Sequence, residues 1–306
     1  MVPDVRRILR GDWGTSESDA PAGGGPLAAP ERCSSDRVGG YSVLRTSHVL
    51  LATATTVATV ATGVMLGVVA PATADHGSAP HRVAGPEDRL PDLQMEPLSD
   101  HRVQILEGRR VLRFTAVIAN RGDGPLELVG SRTSTATEEM SVVQRISQRG
   151  GGHESVPTDA VMTYAVDDNH SHWHFQHAAE YSLRVPGEEH PRVAHKEGFC
   201  LIDDVRLPGA SSGETAESAE YDGCEEGLTE TRSVTQGISV GWGDPYTFDV
   251  WGQWIDLTGL PLPGRYCLEA TADPRGLLAE TDTGNNTTTT LVDLTANDVK
   301  VVGTEC

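Results

Sequence analysis

The segment Asn169-His170-Ser171-His172-Trp173-His174-Phe175 sets three histidines at alternate positions. In an extended strand successive side chains point to opposite faces, so residues two and four apart share one side and three imidazoles gather there. That arrangement is a metal half-site. At roughly 3.3 Å per residue, His170 and His174 have Cα atoms about 13 Å apart in a flat strand. An imidazole bonded to a metal at about 2 Å spans only some 6 to 6.5 Å from its Cα. A flat strand barely reaches, so either the segment bends or His177 or another residue replaces one of the three. All-imidazole sets suit copper, zinc, iron or nickel, and spacing leaves the choice open. Surface histidines without a metal are the alternative.

Such a strand needs a framework, and residues 101 to 306 read as one. Val111 to Asn120 is apolar and strand-like, Arg121-Gly122-Asp123-Gly124-Pro125 is a turn, and Leu126-Glu127-Leu128-Val129 follows. Tyr181 to Val185 and Arg265 to Ala270 alternate, and Thr287 to Leu294 is β-branched after the turn at Asn285-Asn286. Short strands between Gly, Pro and Asn turns, with little helical period, predict a mainly β fold: an antiparallel β-sandwich-like domain with long loops. About 200 residues suffice for one such core.

The rest of the chain reads differently. Residues 1 to 46 are polar, rich in Gly, Pro and Ala, and without hydrophobic period, the composition of a disordered segment. Residues 47 to 74 hold an uncharged run, Val49 to Ala70, behind Arg45 and ahead of Ala72-Thr73-Ala74, the pattern of a secretory signal peptide or a single membrane anchor. The polar lead is long for a signal, so translation is expected to start later, near Val38 or Val43. Residues 75 to 100 read as a Pro-rich linker.

Charge and cysteines agree with export. The net charge of -20 falls wholly on residues 75 to 306, with 18 Lys and Arg against 38 Asp and Glu. Such a surface repels nucleic acid and anionic membranes and attracts cations, amines among them. Cys33 precedes the apolar run, leaving Cys200, Cys224, Cys267 and Cys306, an even set that favours two disulfides. Of three pairings, Cys200 with Cys224 and Cys267 with Cys306 are preferred, closing an acidic loop and tying down the C-terminus. Glycine-rich phosphate loops are missing, which sets aside nucleotide enzymes.

Four further motifs follow the histidine strand in order: His195-Lys196-Glu197-Gly198-Phe199-Cys200-Leu201; Gln236-Gly237-Ile238-Ser239 with Gly243-Asp244-Pro245-Tyr246; Gln253-Trp254-Ile255-Asp256-Leu257-Thr258; and Pro263-Gly264-Arg265-Tyr266 with Glu280-Thr281-Asp282 and Asn285-Asn286. Together they resemble the catalytic domain of the lysyl oxidase family over roughly residues 100 to 295. The resemblance implies a lysyl-oxidase-like catalytic domain at residues 101 to 306, with copper held by His170, His172 and His174. It also implies a lysine tyrosylquinone cofactor made from Lys196 and Tyr246. The implied reaction oxidises a primary amine, peptidyl-lysine or a small amine, to an aldehyde with O2, releasing hydrogen peroxide and ammonia. A metal lowers the pKa of a nearby phenol and a desolvated lysine can act as a nucleophile, so the chemistry is sound. Asp244 and His177 are the candidates for the general base.

This chain departs from the animal members. Its four exported cysteines allow fewer disulfides, and Glu180-Tyr181 stands where the family has histidine before tyrosine. It is therefore similar to a reduced, bacterial-type version whose substrate need not be collagen or elastin. Two rivals are a cupin-like dioxygenase, suggested by His172, His174 and Glu180, and a non-catalytic exported metal-binding β-sandwich serving adhesion or metal holding. The expected location is secreted or cell-surface, touching membrane only through an N-terminal anchor.

Overall fold

Alternating apolar and polar residues over five to twelve positions form half-buried strands, and strands dominate the computed structural model, which describes residues 85–166, 171–194, 196–209 and 218–306. His170, His195, Cys33 and the apolar run from Val49 to Ala70 lie outside the described residues. In chain order the strands begin with β1 (Asp88–Arg89), β2 (Leu93–Met95), β3 (Ser99–Leu106), β4 (Arg109–Asn120), β5 (Leu126–Ser131) and β6 (Glu139–Gln148). Next come β7 (His153–Ala165), β8 (His172–Gln176), β9 (Ala179–Arg184), β10 (Arg192–Val193), β11 (Gly198–Phe199) and β12 (Val205–Arg206). The last are β13 (Ser233–Ile238), β14 (Trp242–Tyr246), β15 (Trp254–Asp256), β16 (Gly264–Ala272), β17 (Thr287–Leu294) and β18 (Val299–Gly303). Among the described residues there is no helix.

The mainly β, antiparallel character expected from the sequence is what forms, with the strands spread over three sheets. One runs β11-β8-β7-β6-β5-β13 with β1 beside β6; a second runs β10-β9-β16-β17-β18. The third runs β12-β14-β4-β15, with β2 and β3 also pairing to β4. The continuous run Val111–Ala116 in β4 is buried throughout, as a strand covered on both faces requires. Phe114, Trp173, Phe175, Tyr181, Phe199 and Tyr266 join one apolar cluster, each such side chain contributing about 1.5–3 kcal/mol by leaving water.

The boundary of the expected linker moves. From Asp88 onward the segment read as linker belongs to the fold, with Leu93, Gln94 and Met95 pairing to Asn120, Ala119 and Ile118 and Leu93 and Met95 buried. Three alternating residues between Pro91 and Pro97 are too few for a strand signal in the sequence. Pairing to β4 makes them one.

Both preferred disulfides are present, Cys200–Cys224 and Cys267–Cys306. The first matters for position. The Cys224 carbonyl accepts the Trp173 backbone N–H from β8 at 3.0 Å, so the bridge fastens the histidine strand to the segment that follows β11.

Candidate functional site

His172 and His174 lie two residues apart in β8, on one face of the strand, and their Nε2 atoms stand 2.8 Å apart. Two nitrogens bonded to one metal at about 2.0 Å and at a right angle are themselves about 2.8 Å apart. The pair is shaped for neighbouring ligand positions, although the same separation also suits a hydrogen bond between the rings. His170, the third expected ligand, lies outside the described residues. Among the described residues no three His, Cys, Asp or Glu side chains gather around a common metal position. Two imidazoles aimed at one point fit copper, which takes nitrogen ligands in tetragonal sets, and fit zinc as well.

Gly198 makes this geometry possible. It lies in β11, which pairs with β8, and a Cβ there would fall 2.6 Å from His174 Nδ1 and 2.9 Å from His174 Cβ. A residue without a side chain lets the ring settle where it does. The sequence carried a signal for this residue, a glycine inside a strand, but not which ring would approach it.

The segment entering β11 also delivers Lys196. This side chain is buried at 8% exposure, and its Nζ lies 4.9 Å from the ring centroids of both Phe199 and Tyr246. Gly252 packs its backbone against Lys196, where a Cβ would stand 3.3 Å from the lysine Cα and Cβ, and its φ of +76° also favours glycine. The neighbouring Glu197 carbonyl accepts the His177 N–H at 2.8 Å, fixing the approach to β8.

Tyr246 arrives from the other side. It ends β14, paired to Ala116 of β4, and Asp244 two residues earlier shares its face. The Tyr246 hydroxyl lies 2.6 Å from Asp244 Oδ2 and 2.9 Å from the Cys200 carbonyl. Asp244 is buried at 4% exposure. Burial pushes its carboxyl up to about 8, and Asp204 adds to the rise, while the Tyr246 hydroxyl, the Ile202 N–H and Lys196 oppose it. The phenol O–H is placed to donate to Asp244 Oδ2 and to the Cys200 carbonyl, its single proton serving one of the two at a time. Tyr246 itself is pushed well above the usual phenol value, first by burial and then by the Asp244 charge. Phe199 meets its ring edge-on, with centroids 4.9 Å apart.

His177 occupies the turn after β8 in the left-handed region, φ 63°. Burial chiefly, with help from Arg275 and against Glu197 and Glu180, lowers its pKa, so its ring is neutral at pH 7 and open to a proton. Of the two base candidates, Asp244 is the one hydrogen-bonded to Tyr246.

Two buried residues, Gln236 from one of the motifs and Asp203 just beyond another, hold these parts together, a role the sequence did not reveal. Gln236 Nε2 donates to the Trp173 carbonyl at 2.7 Å and Oε1 accepts the Leu201 N–H at 3.3 Å, joining β8 to the Cys200 segment. Asp203 accepts from the Ser239 N–H and hydroxyl and from the N–H groups of Glu220 and Tyr221.

The family model for lysyl oxidase matches residues 131–306. Protein-lysine 6-oxidase of Gallus gallus is 28% identical over 148 residues, 47% of this chain and 30% of that protein. The same enzyme of Sus scrofa is 30% identical over 145 residues, 47% of this chain and 51% of that protein. Lysyl oxidase homolog 2B of Danio rerio is 24% identical over 207 residues, 65% of this chain and 24% of that protein. The chain thus spans about half or less of the length of these relatives. With more than half of its own residues matched by the family model, the chain belongs to the lysyl oxidase family.

Proposed function

We propose that the protein is a copper-dependent amine oxidase of the protein-lysine 6-oxidase type. It oxidises primary amines, of peptidyl-lysine or small molecules, to aldehydes with O2 and releases hydrogen peroxide and ammonia. The observation that carries this reading is the buried approach of Lys196 Nζ to within 4.9 Å of the Tyr246 ring centroid, from a segment whose next residues pair with the histidine strand.

His172 and His174, with His170 as the expected third, would hold copper, and Lys196 and Tyr246 would become the lysine tyrosylquinone. When bound, the metal and the quinone supply the redox chemistry, ring oxidation by O2 and an electron sink for the amine carbon. The chain's own residues do the rest. Lys196 is held against the Tyr246 ring, so its amine meets the ring without a search through solution. Phe199 limits the ring's tilt. Asp244 binds the Tyr246 oxygen and exchanges a proton at Oδ2. To act as base it must be ionised, which a value of about 8 allows in mildly alkaline solution. His177 is the second candidate base. The acidic surface attracts ammonium-bearing substrates and repels nucleic acid, and the two disulfides suit a secreted or cell-surface protein.

The test is mass spectrometry of copper-loaded, aerated protein. A joined Lys196–Tyr246 peptide with the mass change of a quinone crosslink is the expected result. Unmodified peptides despite bound copper would overturn the reading and favour the non-catalytic metal-binding sandwich.

A further inference from the structure

Beside this chamber lies a polar pair that the proposed chemistry leaves without a role. Tyr181 in β9 and Gln253 just before β15 are both fully buried, at 0% exposure. The Tyr181 hydroxyl and both polar atoms of the Gln253 carboxamide make no hydrogen bond. The carboxamide is near enough to the Tyr181 hydroxyl to favour the charged form of the phenol. A buried polar atom left unmet costs about 1–3 kcal/mol, and Phe and Leu would fill the same volume without that cost. Buried Asn120, Asp203 and Gln236 each have several partners, while among the described residues His101 Nε2, Arg113 Nε, Asn285 Oδ1 and Asn286 Oδ1 are unmet as well.

Several contacts tie the pair to the reacting ring. Tyr181 packs against Phe199 with centroids 6.3 Å apart, and Phe199 packs against Tyr246 at 4.9 Å. The Tyr181 phenol feels the Asp244 charge, and Tyr246 in turn feels Tyr181. Gly252, adjacent to Gln253, is the residue whose backbone lies against Lys196. The oxygen Tyr246 already has is engaged by Asp244 and the Cys200 carbonyl, so Tyr181 and Gln253 are spare donors and acceptors for something the ring does not yet carry.

We propose that the Tyr181 hydroxyl and the Gln253 carboxamide form a receptor for the second ring oxygen that Tyr246 gains on oxidation, and so position the ring for attack by Lys196. This rests on the amine-oxidase reading above. Conversion of the phenol to an ortho-quinone consumes one O2. One oxygen atom replaces the ring hydrogen beside the hydroxyl, the other leaves as water, and the ring gives up the electrons. The new oxygen is buried on formation and needs a donor. Tyr181 O–H and Gln253 Nε2–H are donors already desolvated and waiting, so binding them requires no further loss of water.

The experiment compares wild type, Tyr181→Phe and Gln253→Leu, with Gln253→Met as the second variant at that position should Leu prevent folding. Each is melted before metal loading, then loaded with copper, aerated and sampled over time for crosslinked Lys196–Tyr246 peptide and for visible quinone absorbance. Expected are melting temperatures equal to or above wild type, crosslinking slowed by about tenfold, the share of one hydrogen bond, and a displaced absorbance maximum in the product that forms. Variants that crosslink at the wild-type rate with the wild-type spectrum overturn this proposal and leave the amine-oxidase reading standing. A wild type that never crosslinks overturns both.

Discussion

Asp203 and Asp244 are both buried aspartates near the Cys200 segment, and their surroundings give them opposite work. Asp203 collects four donors, the Ser239 N–H at 2.7 Å, the Ser239 hydroxyl at 2.6 Å, and the Glu220 and Tyr221 N–H groups at 2.8 and 3.3 Å. It fastens the strand before the site to the loop carrying Cys224. Asp244 shares a phenol instead and is left holding a proton at neutral pH. Carboxyl burial is common to both. The number of donors around it separates a fastening from a reactive group.

The contrast can be broken most sharply at Asp203. Replacing it with Ala strands four buried donors, and we expect a loss of roughly 3–5 kcal/mol in a denaturant melt; a loss under about 1 kcal/mol would remove the distinction. Next in size is Gly198→Ala, which acts on the histidine strand β8 through the His174 ring. Copper affinity measured by competition with a chelator should fall about 10–100-fold, the range seen when support for a ligating histidine is disturbed, and an unchanged affinity would show that His174 can shift freely. Smallest is Asp244→Asn at pH 5, where the wild-type carboxyl is already protonated and stability should change by less than about 1 kcal/mol.

The pH dependence at Asp244 sharpens the comparison further. Its folded value of about 8 lies above the ordinary carboxyl value of 3.8, so between those limits the folded chain binds a proton that the unfolded chain lacks. Its contribution to stability is therefore largest below the lower limit and declines as pH rises toward 8. Glu280, also pushed up to about 8 by burial, titrates with the same sign. The Asp244 share is thus the difference between wild type and Asp244→Asn, whose melting temperature should overtake that of wild type by pH 9. Parallel melting curves across pH 5 to 9 would contradict the assignment. In the matured protein, amine turnover limited by Asp244 as base should climb through about pH 8, and a rate independent of pH there would transfer the role to His177.

Local pattern made much of this molecule legible. The apolar run from Val111 to Asn120 and the alternation in Tyr181 to Val185 and Arg265 to Ala270 correspond to β4, β9 and β16 within a residue or two, because both patterns are properties of neighbouring residues. The two-residue step from His172 to His174 is local in the same way, and so is that from Asp244 to Tyr246. Even cysteine count and loop closure sufficed for the disulfides. β2 escaped notice because three residues carry no period of their own, and its existence depends on β4, reached through a separate stretch of chain.

The approach of Lys196 to Tyr246 depends on sheet register. β11 pairs Phe199 with Phe175, β14 pairs Tyr246 with Ala116, and a slip of one residue in either would turn the side chains of that strand to the opposite face. The same holds for the grip of Asp203 on Ser239, the space Gly198 leaves for His174, and the unmet polar atoms of Tyr181 and Gln253. Residue types and short spacings settle which groups are present and which face of a strand they share. Distances between groups separated by tens of residues arise only when strands pair and the sheets pack, since chain connectivity alone does not constrain them.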